Sequence, residues 1–397
     1  MPISTDSKKI EELLTRGVEN IYPAKEFLRS LLASGKKLTL YTGYDPTAPT
    51  LHVGHGITLL KLKQFQDLGH KIIMLIGDFT GMIGDPTDKL STRKQLSRKE
   101  VIVNCKLYQR QASALLNFSG RNKAELKFNS TWLAKMRFDD VLKLTAHVTV
   151  PRLLERDMFQ ERLKQGGTIH VHEFLYPIMQ GYDSVAMNVD GEVGGNDQTF
   201  NMLIGRDLLK EIKNKEKFVL TMRLLTDSAG RKMGKSEGNM IAFSDTSEDM
   251  FGKVMRWTDE MIINGFELCT TMSMIEIKDM GQAMSQGSNP RDFKLRLAYE
   301  ITKTFLGEAS AKKGQANFAA VIQSHEKPAE VPELKPSVYD ILTVLVEAGF
   351  VKSRGEARRD IEGGGVRVND EKVSDVGRIV KAGEIVQKGK RFFVKVV

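Results

Sequence analysis

Apolar positions change period several times along this chain, and each change marks an element. Ile10, Leu13, Leu14, Val18 and Ile21 fall at roughly helical spacing, which predicts an amphipathic helix near the start. From Lys37 the pattern becomes strand-like. KLTLYTGY is a short apolar run, DPTAPT is a proline-broken turn, and LHVGHGITLLKLKQFQDLG is a helix closed by Gly69. KIIMLIGD predicts a buried strand leading into the glycine-rich loop GDFTGMIGDPTDK. Strand, turn, helix and strand in this order begin a parallel α/β sheet. Between about Ser97 and Pro151 helical patterns alternate with the strand-like ELKFNS, which reads as an insertion. Tyr176 to Ile212 returns to glycine loops and another helix, and KFVLTMRLL is a further strand, followed by the Gly- and Lys-dense loop TDSAGRKMGKSEGN.

Residues 245 to 325 read as helices, with Trp257, Phe266, Phe293, Leu297, Ile301 and Phe305 as candidate core positions. HEKPAEVPELKPS interleaves Pro328, Pro332 and Pro336 with Glu and Lys, the composition of a semi-rigid spacer. Two helices and short strands are expected beyond it, in a segment where basic residues outnumber acidic ones. These shifts divide the chain into residues 1–240, with the insertion centred near 125–175, a helical part at 241–325, a linker at 326–336 and a small α+β module at 337–397.

Composition narrows the class. With 397 residues, 41% hydrophobic and 27% charged, the chain is long enough for one large domain and one or two smaller ones. It contains no run of eighteen apolar residues, and MPISTDSKKIEELLTRGVEN has neither the apolar stretch of a secretion signal nor an Arg-rich, acid-poor leader. A cytoplasmic protein with no membrane partner is therefore expected. Cys105 and Cys269 stand far apart without CxxC spacing, so neither a disulfide framework nor a cysteine zinc site is expected. A formal charge of +9 points to a polyanionic partner.

Two short motifs carry candidate chemistry. His52-Val53-Gly54-His55 opens the helix after the first strand, which puts two imidazoles on one face of its first turn, where exposed N–H groups favour anions. Alone, HxxH reads equally well as half of a zinc site or as two surface histidines. Lys232-Met233-Gly234-Lys235-Ser236 follows about 180 residues later in a glycine-flanked loop, where two lysines can reach over a triphosphate. Alone, that loop reads as a solvated basic segment. The two in this order and spacing form a specific combination.

HVGH resembles the HIGH signature, and KMGKS the KMSKS signature, of the class I aminoacyl-tRNA synthetases. The sequence resembles the tyrosyl family of that class in its bacterial form, from YTGYDPTAPTLHVGH through TGMIGDP, YPIMQGYDS and GGNDQ, over most of residues 30 to 240. The resemblance implies a Rossmann-type parallel-sheet catalytic domain, then a helical anticodon-arm domain and a small RNA-binding domain. It implies that L-tyrosine is activated with ATP, accompanied by Mg²⁺, to tyrosyl-adenylate, and then passed to tRNA-Tyr. No tightly bound cofactor and no protein-held metal are implied. By the same resemblance Tyr41 and Asp183 hydrogen-bond the phenolic hydroxyl, Asp85, Tyr176 and Gln180 hold the α-ammonium, and Gln198 faces the carboxylate. Gly54, Gly195, Asp197, Lys235 and Ser236 fall in the ATP site, Asp197 on the ribose. His52, His55, Thr47, Lys232 and Lys235 stabilise the leaving pyrophosphate, and Asp45 beside Thr47 supports the bound substrates. A homodimer joined through residues near 125 to 175 is implied as well.

Each role suits its residue type. A buried phenol needs an acceptor for its proton and a donor for its oxygen, which a carboxylate and a second phenol supply; phenylalanine leaves both unpaired. Without that match, Tyr41 reads as a strand residue, Asp183 as a helix cap, and GGND as a turn and cap. YDILTVLVEAGFVKSRGEARRDIEGGGVRVNDEKVSD resembles an RNA-binding module shared by a small-subunit ribosomal protein and several pseudouridine synthases. Arg354, Arg358 and Arg359 there form either one basic edge for RNA phosphates or, interleaved with Glu356, Asp360 and Glu362, a solvated face. A tryptophanyl relative leaves Asp183 and the tail without a role. Two further readings are a synthetase scaffold that only binds RNA and a cofactor adenylyltransferase sharing HxxH; the paired lysines disfavour the first, and length and tail the second.

Overall fold

A computed structural model describes residues 2–85, 96–227, 230, 233, 240–320, 331–389 and 392–397. Their contacts divide the chain into two compact units, Met1–Ala311 and Lys312–Val397. In the first unit the described residues form a six-stranded sheet of β1 (Val18–Tyr22), β2 (Thr39–Tyr44), β3 (Lys71–Ile76), β4 (Glu125–Phe128), β5 (Gly191–Gly195) and β6 (Phe218–Met222). Its order is β1-β6-β5-β2-β3-β4, parallel throughout except for β1 against β6.

Chain order runs outward from β2 through β3 to β4 on one side, and through β5 to β6 on the other. The two halves part between β2 and β5, so a crevice opens at the carboxyl ends of these strands, where open α/β sheets bind ligands. Strands β3 and β6 are buried along almost their whole length, as their unbroken apolar runs require of a sheet covered on both faces. Helix Val53–Asp67 links β2 to β3 and has buried residues around most of its circumference. Helices Val171–Met187 and Thr199–Lys213 cross where Gly181 meets Gly205; a Cβ on Gly181 would lie 3.1 Å from the Gly205 nitrogen.

The first element differs from expectation. Its helix stops at Thr15, Gly17 turns the chain at φ +64°, and Val18 and Ile21 belong to β1. The positive-φ glycine closes the helix that apolar spacing alone continued, and a Cβ there would meet Leu268 at 2.7 Å and Met222 at 3.1 Å. The motif YPIMQGYDS also lies inside a helix rather than among loops.

After β6 come helices Ser247–Met255, Met261–Cys269, Met274–Ser285 and Pro290–Leu306, with Trp257, Phe266, Leu297, Ile301 and Phe305 buried and Phe293 half-buried. They pack directly on the HVGH helix: a Cβ on Gly56 would fall 2.4 Å from the Phe305 ring.

In the second unit, β7 (Glu333–Leu334), β8 (Val366–Val368), β9 (Glu371–Lys372), β10 (Ile385–Lys388) and β11 (Phe392–Val396) form a sheet ordered β7-β11-β10-β8-β9. Ile341, Val344, Leu345, Ile361 and Val386 fill its core, three of them from helix Ile341–Glu347 and Ile361 from helix Arg354–Glu362. Of the proline-rich stretch, residues 331–336 are described, and Glu333–Leu334 pairs in parallel with β11.

Candidate active site

The crevice between β2 and β5 encloses about 720 Å³. Tyr41, Thr47, His52, Gly54, His55, Asp85, Tyr176, Gln180, Asp183, Gly195, Asp197 and Gln198 all line it. With Asp45, which also lines it, these are all the described residues singled out for catalysis or for binding tyrosine and ATP. Lys232, Lys235 and Ser236 lie outside the described residues. Met233, between the two lysines, is buried on the cavity wall, and its N–H donates to Leu225 O at 2.8 Å.

Strand β2 delivers Tyr41 inward and ends at Tyr44, where Asp45 begins the turn. Asp45 accepts from Tyr176 Oη at 2.8 Å and from Thr80 Oγ1 at 2.7 Å. Gly77 makes this clasp possible, because a Cβ there would stand 1.9 Å from Asp45 Oδ1. His52 is the N-cap of its helix, and its backbone N–H donates to His55 Nδ1 at 3.2 Å. The two rings stack at 3.8 Å between centroids, with Tyr44 edge-on to His55 at 5.7 Å. Val53 N donates to Ile241 O, and Phe243 N to Leu51 O, both at 2.9 Å. These bonds pin the chain that follows KMGKS against the start of the HVGH helix.

Tyr176, Gln180 and Asp183 stand at i, i+4 and i+7 of helix Val171–Met187 and so share its cavity face. Asp183 is in the helix interior, not at a cap. Its carboxylate, 2% exposed, accepts from Trp132 Nε1 at 2.8 Å and from Asn129 Nδ2 at 3.3 Å. Burial pushes its pKa well above the usual carboxylate range, against the pull of those two donors. Burial, with Glu192 and Asp183 nearby, likewise holds the Tyr41 phenol well above its ordinary value.

A second network lines another part of the same cavity. Gln198 Nε2 donates to Asp85 Oδ2 at 2.7 Å, and Arg156 approaches Asp85 Oδ1 at 3.6 Å. Asn201, fully buried, donates through Nδ2 to Gln180 Oε1 at 2.9 Å and to Gln198 Oε1 at 3.1 Å, fixing both amides with their NH₂ groups turned away from it.

Sequence reading passed over several of these groups. Trp132, Asn129 and Arg156 come from the insertion, whose text showed helical patterns around the strand-like ELKFNS. Ser184, Glu192 and Lys217 form a buried polar cluster beside Tyr41. The available signal was Glu192 and Lys217 themselves, charged residues in or beside the otherwise buried strands β5 and β6. In the second unit Arg358 and Arg359 are exposed, whereas Arg354 is engaged by Asp340 Oδ1 at 2.9 Å and donates to Thr343 Oγ1.

Comparison with known proteins agrees with this geometry. The family described as tRNA synthetases class I (W and Y) matches residues 33–323, and the S4 domain matches residues 341–386. The tyrosine–tRNA ligase of Carboxydothermus hydrogenoformans is 44% identical over 100% of this chain and 99% of its own length. That of Thermotoga maritima is 43% identical over 97% and 96%. Among solved structures, a C-terminally truncated Coccidioides posadasii mitochondrial tyrosyl-tRNA synthetase superposes with a TM-score of 0.65 at 25% identity, covering 78% of this chain and 91% of that one. With the family matched across most of its length and its tyrosine-specific relatives end to end, the chain belongs to the class I tRNA synthetases of the W and Y type, on the tyrosine–tRNA ligase branch.

Proposed function

We propose that this chain activates L-tyrosine with ATP, releasing pyrophosphate, and transfers the tyrosyl group to the 3′-terminal adenosine of tRNA-Tyr. The observation that carries this reading is the buried pair Tyr41 and Asp183 on the wall of the same cavity as His52 and His55. A buried acceptor and a buried donor on one wall suit a phenol, and each pairs only with a substrate that has a hydroxyl there. Tyrosine remains the better fit than tryptophan, whose indole offers a donor and no acceptor.

In this reading Tyr176, Gln180 and Asp85 hold the α-ammonium, and Gln198 faces the α-carboxylate. Gly54 and Gly195 let ATP approach the backbone, Asp197 takes the ribose, and Lys235 and Ser236 close over the phosphates. No general base is required for activation, because the substrate carboxylate is already ionised at pH 7 and attacks the α-phosphorus directly. His52, His55, Thr47, Lys232 and Lys235 then stabilise charge moving onto the leaving pyrophosphate, with ATP entering as its Mg²⁺ complex. In the second step a ribose hydroxyl of the tRNA attacks the adenylate carbonyl.

Two assembly features belong to the same proposal. Phe138, Leu142, Val150, Leu163 and Val171 expose large apolar side chains within or beside the insertion, which supports a homodimer joined there. Arg358 and Arg359, and Arg354 partly neutralised by Asp340, are offered as phosphate contacts to tRNA in a cytoplasmic enzyme. Among the described residues no helix is long and apolar enough to cross a membrane.

ATP–pyrophosphate exchange against each of the twenty amino acids tests the reading. Exchange with tyrosine alone is expected. Exchange with tryptophan would refute the roles of Tyr41 and Asp183, and exchange with none would leave an RNA-binding protein on a synthetase scaffold.

A further inference from the structure

Four polar groups are buried together at 0 to 2% exposure: Tyr41, Ser184, Glu192 and Lys217. Lys217 Nζ lies 2.7 Å from Ser184 Oγ and 2.5 Å from Glu192 Oε2. Ser184 Oγ lies 2.9 Å from Tyr41 Oη and 3.5 Å from Glu192 Oε2, and Gln180 Nε2 reaches Glu192 Oε1 at 3.5 Å. Lys217 Nζ also stands 5.9 Å from the centre of the Tyr41 ring. A charged pair so fully buried is costly to desolvate, and apolar residues of the same volume would serve packing as well or better. Its presence beside the substrate-recognising phenol calls for another explanation.

We propose that Lys217, through Ser184, is a positioning residue that fixes the direction of the Tyr41 hydroxyl so that its proton points into the cavity, at the phenol oxygen of tyrosine. The order of protons follows from donor counting. An ammonium only donates, so Ser184 Oγ accepts from Lys217. The single Ser184 proton then has two possible acceptors. Tyr41 Oη at 2.9 Å is well within hydrogen-bond range, whereas Glu192 at 3.5 Å is at its outer edge. Tyr41 therefore accepts from Ser184 and keeps its own proton for the substrate. Lys217 acts a second time by neutralising Glu192, the carboxylate that also reaches the Tyr41 hydroxyl and would otherwise draw its proton away. Lys217 to Ser184 to Tyr41 to substrate oxygen is thus a chain of donors with one sense, and Asp183 closes it by accepting the substrate's own proton. Hydrogen bonds in such a chain polarise one another.

This inference rests on tyrosine activation, and the test separates the two. Pyrophosphate exchange is measured for tyrosine and for phenylalanine, with the KM for ATP, in the full-length wild type, in Ser184→Ala, which leaves the ion pair intact, and in Lys217→Met. No tyrosine exchange in the wild type would defeat the functional reading itself. With the wild type active, Ser184→Ala is expected to raise the tyrosine KM by about five- to tenfold, the scale of one lost hydrogen bond, while the values for phenylalanine and ATP stay put. Lys217→Met is expected to lower tyrosine-over-phenylalanine selectivity at least as far. A Ser184→Ala enzyme with unchanged tyrosine KM would overturn the relay. So would parallel losses for tyrosine, phenylalanine and ATP, which would mean that the cluster only supports the fold. Should Lys217→Met fail to fold because Glu192 is left unpaired, Ser184→Ala decides alone.

Discussion

At the scale of single residues, the proposed function assigns recognition and charge stabilisation to different side chains, so mutations should separate them. Asp183→Ala removes a buried acceptor fixed by Trp132 and Asn129. It is expected to cut kcat/KM for tyrosine in pyrophosphate exchange on the order of 100-fold, mainly through KM, with ATP binding little changed. Lys235→Ala should slow adenylate formation with tyrosine affinity nearly intact. Steady-state and single-turnover exchange for both variants make the comparison, and equal losses in both parameters would contradict the assigned roles. The HVGH and KMGKS residues were legible as text because reactive types at fixed spacing announce themselves. Trp132 and Asn129 were not, because nothing local in the insertion ties them to Asp183, 51 and 54 positions away.

At the scale of elements, tight approaches set where the reactive groups stand. Gly77→Ala would drive a methyl into Asp45 and open the clasp that joins β2, Tyr176 and Thr80. Exchange activity is expected to fall at least tenfold, with a thermal midpoint lowered by several degrees for roughly 1–3 kcal/mol of overpacking. Wild-type activity in that variant would show the clasp to be dispensable. Helix Val53–Asp67 has its own anchor: Lys61 Nζ, 2% exposed, donates to Leu13 O at 2.7 Å and Arg16 O at 2.9 Å. Burial, and then the neighbouring Arg16, bring the Lys61 pKa down to about 7. A lysine whose folded pKa is depressed binds fewer protons folded than unfolded between about pH 7 and its unfolded pKa near 10.4. Its contribution to stability therefore rises with pH across that window. Denaturant midpoints measured from pH 7 to 9 should climb more steeply in the wild type than in Lys61→Met. Identical slopes would mean that Lys61 does not titrate there.

At the scale of the whole molecule, the proposed function assigns activation and tRNA recognition to different parts of the chain. Removing residues 335–397 is expected to leave pyrophosphate exchange within about twofold and to weaken tRNA charging tenfold or more, with a shallower salt dependence of charging. Undiminished charging would remove the RNA-binding role of the tail. The +9 charge agrees with a polyanionic partner, although it names none.

The sequence by itself determined the elements whose signal is local. Unbroken apolar runs foretold the buried strands β3 and β6, and the turn before HVGH foretold the start of the central helix. The resemblance of HVGH and KMGKS to two class I signatures implied the family that the comparison shows. Tertiary structure decided what depends on distant neighbours. Apolar spacing alone would have run the first helix through Ile21, but the chain turns at Gly17, and pairing with β6 made Val18–Tyr22 an edge strand. Asp183 could have been a cap; the helix around it and the donors from the insertion made it a buried acceptor. Glu192 and Lys217 are two charges in strand text until β5 and β6 pair in parallel and their side chains meet beside Tyr41. The difference is physical: propensity and periodicity act over a few residues, whereas desolvation and hydrogen-bond pairing exist only once the chain has brought remote groups together.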